Sequence, residues 1–566
     1  MRFCANTTSS GRVIRLLTSD LQMKASDLLV QCLENEGVEY VFGVPGEEML
    51  DLLESFSGSR IRFIATRHEQ GAGFTADSCG RLTGRAGVCA STLGPGALNL
   101  STAIADANLD HSPVVAITGQ VGLEATHKEY HQYIDTVRAF APITKWNTRI
   151  DTPGVIPEIV RRAFQTAESE KPGATHIELP EDVAALETEG APMPRKKPDA
   201  PVVSEEALKR AAHLINRSQH PILLAGNGVI RGRASHALRA LASAVSLPAA
   251  TTFMGKGVIS ADSEFHAGTI GLQARDHVIC GFDRADLVIA VGYDIIEYPP
   301  GRWNPEGDKT VVHIDFVPAD IQAHYVPSVQ LLGDIAATLD RLRPLLDERS
   351  EPVYYRKLKE FVAAEREAHA ADTGPRVAPQ KIIWDMREAL DRTDILVSDV
   401  GAHKLWIARL YPTYEPNTVP ISNGLASMGF AVPAAIAAKL VHPDRRVLAA
   451  CGDGGFLMNV QELETAERIG VKVVYLIFND NGYGLIKWKQ MGKYTVGFGV
   501  DLGNPDFVKL AESFGARGYR VSDAADLGPI LKEAFEGNGS AVIDVPVDYD
   551  ENWRLSERLG QMICPT

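Results

Sequence analysis

Two patterns alternate from residue 25 onward: apolar residues at helical spacing, and short runs that are apolar throughout. Residues 25–36 carry the first helical stripe, with Leu28, Leu29, Cys32 and Leu33 on one side. Residues 40–44 form a short apolar run that ends in Pro45-Gly46. Runs at 61–65, 86–92 and 113–118 predict further buried strands, and 71–82 and 97–108 predict helices between them. Strands that are apolar on both faces and alternate with helices predict a parallel sheet covered on both sides. The pattern restarts twice. Runs at 221–225, 287–291 and 310–314 predict a second unit; runs at 395–398, 446–450, 473–478 and 541–545 predict a third. A Pro-rich stretch at 190–204, with Arg195, Lys196 and Lys197, reads as a linker, and the charged, helical stretch 346–379 reads as a second connection.

Size agrees with several units, because 566 residues exceed the ~250–300 at which single cores stop growing. A hydrophobic fraction of 45% and a charged fraction of 23% exclude a largely disordered chain. The net charge of −15 argues against a nucleic-acid partner or an acidic membrane surface. No apolar run reaches the ~18–20 residues of a membrane span. Seven cysteines without CxxC spacing predict reduced thiols in a cytoplasmic enzyme, rather than a disulfide framework or a zinc site. Residues 1–22 hold Arg2, Arg12 and Arg15 among Ser and Thr, with no acid before Asp20. They predict a disordered leader, or a start at Met23, more than a transit peptide.

Candidate chemistry concentrates in the third unit. The run 446–450 leads into Cys451-Gly452-Asp453-Gly454-Gly455; a helix at 459–469 and the run 473–478 then lead into Asn479-Asp480-Asn481-Gly482-Tyr483. Two neighbouring parallel strands thus present one Asp each at the same sheet edge, where open α/β sheets bind ligands. Gly454 and Gly455 allow a close backbone approach to an anion, and a helix starting at or after Phe456 offers free N–H groups to phosphate. Asp453, Asp480 and a backbone carbonyl, assigned to Gly482, leave room for two phosphate oxygens and a water in an octahedral magnesium shell. Gly-Asp-Gly alone is a common strand-end turn; the second Asp a full helix and strand later is what carries the reading. The arrangement resembles the thiamine-diphosphate motif, which opens with Gly-Asp-Gly and closes with Asn-Asn. Here Asn479-Asp480 closes it, so an Asp replaces the second Asn.

In the first unit, the run 61–65 is followed by Thr66-Arg67-His68-Glu69-Gln70-Gly71-Ala72-Gly73. The zinc-protease motif HExxH fails, because position 72 is Ala. Glu69 at a helix start could serve the helix dipole alone. Beside a thiamine site it has a sharper role: a carboxyl group in an apolar cleft can protonate N1′ of the aminopyrimidine.

Taken together, Pro45-Gly46, residues 67–73, Leu93-Gly94-Pro95-Gly96-Ala97-Leu98-Asn99, Pro142-Ile143-Thr144-Lys145-Trp146 and the motif at 452–480 resemble acetolactate synthases and their decarboxylase relatives, over residues 23 to about 550. The resemblance implies an α/β chain of three open parallel-sheet domains with the thiamine-diphosphate-binding, pyruvate-oxidase/decarboxylase-like architecture. The expected order is a leader at 1–22, a pyrimidine-binding domain at 23–188, a linker at 189–204, a central domain at 205–345, a connection at 346–379 and a diphosphate-binding domain at 380–566. It implies a homodimer or homotetramer with the cofactor between subunits, Glu69 coming from one and Asp453 and Asp480 from the other.

The family pattern carries over residue by residue. Met428 matches the Met that wedges under the cofactor, and Ala426, where the family usually has Gly, would accept from the 4′-amino group. Gly401, Ala402 and His403 match the segment that touches the diphosphate, with Ala402 in place of the usual Gln. Pro45, Gly46, Gly454, Gly455 and Tyr483 complete the cofactor contacts, and Gln132 matches a Gln near the substrate. Flavin-bearing members usually read Arg-Phe-Asp-Asp-Arg after a central strand. Residues 292–298 read Gly-Tyr-Asp-Ile-Ile-Glu-Tyr, which resembles the flavin-free catabolic branch, so FAD is not expected. Gly226-Asn227-Gly228 does not fit GxGxxG either.

The implied reaction decarboxylates pyruvate through a thiamine ylide and joins the enamine to a second 2-oxo acid, as in acetolactate synthase. A second reading is a decarboxylase of a larger 2-oxo acid such as 2-oxoglutarate. It rests on Glu47-Glu48 after Pro45-Gly46, and on His127, Lys128, His131, Lys487 and Lys489 as a possible cationic wall for a second carboxylate. Glu47, His131 and Lys487 are its substrate candidates. A third reading, a non-catalytic subunit of this fold, conflicts with the intact Glu69, Asp453 and Asp480.

Overall fold

The structure, a computed structural model, describes residues 23–196, 200–272, 275–350 and 353–564. The expected leader 1–22, Cys4 within it, and Lys197 of the linker lie outside the described residues. Three parallel sheets form. The first has six strands in the order Arg62–Ala65, Tyr40–Gly43, Gly87–Ser91, Val114–Gln120, Ala174–Pro180 and Trp146–Arg149. The central sheet runs His266–Thr269, Ala249–Thr251, Pro221–Ala225, Leu287–Val291, Thr310–Asp315, Val329–Leu332. The third has five strands, Ile395–Ser398, Val447–Gly452, Val474–Asn479, Ala541–Pro546 and Arg517–Arg520. An antiparallel pair, Met23–Lys24 with Glu187–Thr188, closes the first unit. Helices cover both faces, so Gly87–Ser91 and Pro221–Ala225 are buried at every position, as their apolar runs require.

The strands without an apolar run have identifiable causes. Trp146–Arg149 and Arg517–Arg520 are half-buried edge strands, which need only one apolar face. Ala174–Pro180 is fully buried but carries His176 and Glu178. His176 Nε2 meets the Thr118 hydroxyl at 2.9 Å and its ring stacks on Phe140; burial pulls it down to about 3, so it is neutral at pH 7.

Helix starts shift for local reasons. Helix Glu69–Thr83 opens two residues before the apolar stripe, because His68 is its cap: Nδ1 accepts from the Gln70 N–H at 3.1 Å. Helix Gly94–Leu109 opens at Gly94-Pro95, and Pro suits a first turn whose N–H groups have no partner. The expected helix 459–469 begins later, at Glu462, and runs to Ile469; a separate short helix, Asp453–Met458, precedes it, and in the break between them the Asn459 amide donates to the Gly429 carbonyl at 2.8 Å. In the 346–379 stretch the described helix is Val353–Glu367.

The thiol expectation needs one correction. Cys280, on helix His277–Arg284, is disulfide-bonded to Cys564 near the chain end, with Cα atoms 5.5 Å apart. Sequence spacing says nothing about cysteines that the fold brings together from distant segments. Cys32, Cys79, Cys89 and Cys451 are free and buried.

The first and third units lock around helix Glu69–Thr83. Phe74 meets Phe430 edge-on at 5.6 Å. The buried Arg81 guanidinium reaches Asp77 at 2.8 Å, Asp110 at 2.8 Å and Asp106 at 3.1 Å, and donates to the Ile421 carbonyl. Asp110 in turn accepts from the Asn423 and Gly424 N–H groups, so this cluster anchors the loop after Ile421 in front of the third sheet. Among the described residues no helix is long and apolar enough to cross a membrane.

Candidate active site

Asp453 and Asp480 sit at the ends of the paired strands Val447–Gly452 and Val474–Asn479, in a register that sets Gly452 against Phe478. Asp453 is 1% exposed. One of its oxygens accepts from its neighbour Gly454 N–H at 2.8 Å; the other accepts from Gly482 N–H at 3.1 Å and the Asn504 amide at 2.7 Å. The helix therefore opens at Asp453 rather than at Phe456, and the Gly454 N–H is already engaged. Burial, and then the charge of Asp453, push Asp480 up to about 7; burial also raises Asp453. Two carboxylates crowd one sheet edge, and the nearby Lys487 is exposed and paired to Asp501 at 3.0 Å. A divalent cation is the group that would relieve this crowding. Among the described residues no set of three or more His, Cys, Asp or Glu could hold a metal. The protein thus offers two carboxylates, and phosphate oxygens, backbone carbonyl and water would complete a magnesium shell.

Around the pair lie three buried polar atoms without hydrogen-bond partners: His403 Nε2, Asn504 Oδ1 and the Tyr549 hydroxyl. The His403 ring stacks on Phe478 at 5.3 Å, and burial holds it down near 3, so it is neutral. A side chain at Gly401 would put its Cβ 2.8 Å from this ring, and one at Gly452 would come within 3.3 Å. Ala402 opens helix Ala402–Leu410 beside it. At Gly454 a Cβ would touch the Tyr483 ring at 3.0 Å; at Gly455 it would collide with the Asp399 carboxylate at 2.3 Å. Glycines without room for a side chain and unpartnered polar atoms thus gather at one sheet edge, a lining that suits a diphosphate and its metal.

Asp399 gave no signal by motif. It ends the strand Ile395–Ser398 at the same sheet edge, is fully buried, and accepts from the Gly429 N–H at 2.9 Å. Burial raises it to about 7. Asp399 from one side and Asn459 from the other clamp the turn that carries Met428, which is half-buried. Ala426 has φ +56°, in the left-handed region; that is the physical reason why Gly is the residue resembling sequences prefer there.

The first unit assembles the other candidates at its own sheet edge. Glu69 is 8% exposed, and one of its oxygens accepts from the Asn99 amide at 3.0 Å. Its cap role is already filled by His68. A Cβ on Gly96 would lie 3.2 Å from the other Glu69 oxygen. Gly94 has φ +45°, and a Cβ there would meet the Gln132 carbonyl at 2.3 Å, so only Gly lets Gln132 lie over this turn. Gly46 packs on Thr92 next to the exposed Pro45, and Glu48 accepts from the Thr92 hydroxyl at 2.6 Å. Glu47, His131 and Gln132 are exposed.

Among the described residues no hydrogen bond or ion pair links Glu69, Asn99 or Gln132 to Asp453, Asp480 or Tyr483, and none brings Lys487 to Glu47 or His131. Near the site, Glu462 adds a further link between the units: it accepts from the Arg67 and His68 N–H groups and so steadies the start of helix Glu69–Thr83. Asn504, Tyr549 and Glu462 carried no local signal, because only the fold brings these segments to the site. Asp399 could have been found as a third acidic residue ending a predicted strand.

Models of thiamine pyrophosphate enzymes match all three units: the N-terminal TPP binding domain over residues 23–139, the central domain over 208–342 and the C-terminal TPP binding domain over 399–545. The acetolactate synthase of Bacillus subtilis (strain 168) is 37% identical, with 94% of this chain and 95% of the relative covered. The catabolic acetolactate synthase of Raoultella terrigena is also 37% identical, covering 95% and 97%. A probable acetolactate synthase large subunit of Methanocaldococcus jannaschii is 37% identical, covering 94% and 93%. Similarity that runs through every sheet and almost end to end leaves one assignment: the chain belongs to the acetolactate synthase family of thiamine pyrophosphate enzymes.

Proposed function

We propose that this enzyme uses thiamine diphosphate and magnesium, without a flavin, to decarboxylate pyruvate and join the remaining two-carbon unit to a second 2-oxo acid. The observation that carries the reading is the crowding of buried Asp453 and half-buried Asp480 at one sheet edge, with no ion-pair partner for either among the described residues, in a chain of this family. The cofactor, when bound, supplies a carbon acid and an electron sink that lets a 2-oxo acid lose carbon dioxide. Asp453 and Asp480, with the Gly482 carbonyl, hold the metal that neutralises the diphosphate. Gly401, Ala402, His403, Gly454, Gly455 and Tyr483 line the diphosphate, with His403 Nε2 and the Tyr549 hydroxyl as free partners. Pro45 and Gly46 flank the other end. The clamped turn sets Met428 as a rigid wedge and Ala426 as an acceptor. Glu69, held by Asn99, exchanges a proton at a pyrimidine nitrogen. Gln132 orients the substrate.

The flavin-free reading is supported by Glu297. The strands Pro221–Ala225 and Leu287–Val291 flank the topological switch point of the central sheet, where a dinucleotide would bind. Glu297 accepts there from the Asn227 N–H at 2.9 Å and from the Thr252 hydroxyl. The chain's own carboxylate thus takes the donors that a phosphate would need. Colour is the check: purified protein should show no band near ~450 nm, and stoichiometric flavin released on denaturation would overturn this part.

A homodimer or homotetramer with sites between subunits belongs to the same reading, as membership of this family implies. Exposed apolar residues stand beside both halves: Leu98 next to Asn99, and Leu425 and Met458 next to the clamped turn. A cytoplasmic location and small 2-oxo acid partners belong to the same proposal. Neither alternative reading gains support, since Lys487 is spent on Asp501 and His127, Lys128 and His131 are exposed.

The test is incubation of cofactor-loaded protein with pyruvate and, separately, with 2-oxoglutarate, followed by product identification. Acetolactate from pyruvate is expected. An aldehyde from 2-oxoglutarate, with no carboligation of pyruvate, would replace this reading by the decarboxylase one.

A further inference from the structure

Away from the candidate active site, a cavity of about 240 Å³ lies where the central unit, the helix Val353–Glu367 and the third unit meet. Its charged walls are Lys256, Lys359, Arg366 and Arg409, against Asp262 and Asp276. Both acids are already matched: Asp262 to Arg392 at 2.7 Å and Asp276 to Arg409 at 3.0 Å. The two lysines are not. Lys256, 6% exposed, donates to the Ala408 carbonyl at 2.9 Å and weakly to the Thr269 hydroxyl, and Lys359 donates to the Ser263 carbonyl at 3.0 Å. Among the described residues neither ammonium has a carboxylate within ion-pair distance.

Three further polar atoms on residues lining the cavity have no partner: Arg409 Nη2, the Tyr411 hydroxyl and His266 Nδ1. Arg409 and Tyr411 are more than nine-tenths buried. Burial holds Tyr411 above the usual phenol range, so it stays a donor, and it lowers Lys256 to about 7. An unpaired buried ammonium and unsatisfied buried donors are each costly, and an anion relieves both costs at once.

We propose that this cavity is a binding site for a phosphoryl group, as inorganic phosphate or a small phosphate ester. Its donors arrive from three elements: Lys256 from the central unit, Lys359 and Arg366 from helix Val353–Glu367, and Arg409 and Tyr411 from the third unit. A phosphoryl group directs oxygens to several sides and can take all three, whereas a planar carboxylate presents its oxygens to one side. The size also suits a small ligand. The site is separate from the diphosphate-binding edge: helix Ala402–Leu410 begins beside that edge at Ala402 and His403 and reaches this cavity at its other end, through Arg409 and Leu410.

The experiment uses holoenzyme loaded with thiamine diphosphate and magnesium, which closes the diphosphate-binding edge to free phosphate. Inorganic phosphate is titrated calorimetrically in a phosphate-free buffer at ionic strength fixed with sodium chloride, with acetate as a parallel arm. Saturable phosphate binding is expected, weakened about tenfold or more in Lys256→Met, with turnover in phosphate-free buffer kept. Lys359→Met, at a half-buried position, gives the same reading if Lys256→Met does not fold. Phosphate heats no larger than those of chloride, equal affinity in the variants, or acetate binding as tightly as phosphate would each overturn the assignment.

Discussion

Glu69→Gln separates a catalytic carboxyl from a structural one. The substitution keeps the side chain's length, and the amide oxygen can still accept from Asn99, as Glu69 does at 3.0 Å. Helix Glu69–Thr83 keeps its cap, because His68 provides it. The structural cost is therefore the loss of one negative charge in the first helical turn, about 0.3–1 kcal/mol, plus the weakening of one charge-assisted hydrogen bond, about 1 kcal/mol. The catalytic cost is larger. An amide can hydrogen-bond a pyrimidine nitrogen but cannot protonate it, and general acid–base groups contribute ~10²–10⁴-fold, or about 2.7–5.4 kcal/mol of barrier. C2-proton exchange on bound thiamine diphosphate, followed by NMR, measures the second quantity, and thermal unfolding measures the first. The expected result is a well-folded variant, slightly less stable, whose exchange is slower by two to four orders of magnitude. Exchange at the wild-type rate in folded Glu69→Gln would remove Glu69 from proton transfer.

Asp453→Ala should abolish retention of thiamine diphosphate and magnesium, because the diphosphate would face the remaining carboxylate without its metal; unchanged affinity by calorimetry refutes the metal assignment. Arg81→Met should cost about 3–5 kcal/mol, since it leaves Asp77, Asp106 and Asp110 crowded and buried without their cation; a melting temperature within a degree or two of wild type would show that the aspartates can neutralise themselves cheaply. In phosphate-free buffer, Lys256 has a folded pKa near 7, below its ordinary 10.5. The unfolded chain therefore binds more protons between these values, and stability gained from this position rises with pH across that window. Lys256→Met should accordingly stabilise the protein most below pH 7 and hardly at all above 10.5, and a pH-independent effect on the melting temperature would contradict the burial argument.

Much of this molecule was legible in the order of its residues. Strands buried on both faces must be apolar throughout, so 221–225, 287–291 and 395–398 mark strands Pro221–Ala225, Leu287–Val291 and Ile395–Ser398 to the residue. Strand and helix alternation implies parallel sheets, and Asp453 and Asp480 had to share an edge because their strands are neighbours in such a sheet. Edge strands such as Trp146–Arg149, and the buried but polar Ala174–Pro180, escaped because their stability comes from neighbours rather than from their own hydrophobicity. The same limit holds at the site. Asp399, Asn504, Tyr549 and Glu462 act on residues far away in the chain, and Cys280 of the central unit meets Cys564, 284 positions later. Local pattern reports the burial that each segment needs. Which buried groups then face one another, and whether Lys256 or Asp480 finds a counter-charge, is decided by packing between distant segments, where desolvation and Coulomb energy depend on neighbours that only the folded chain supplies.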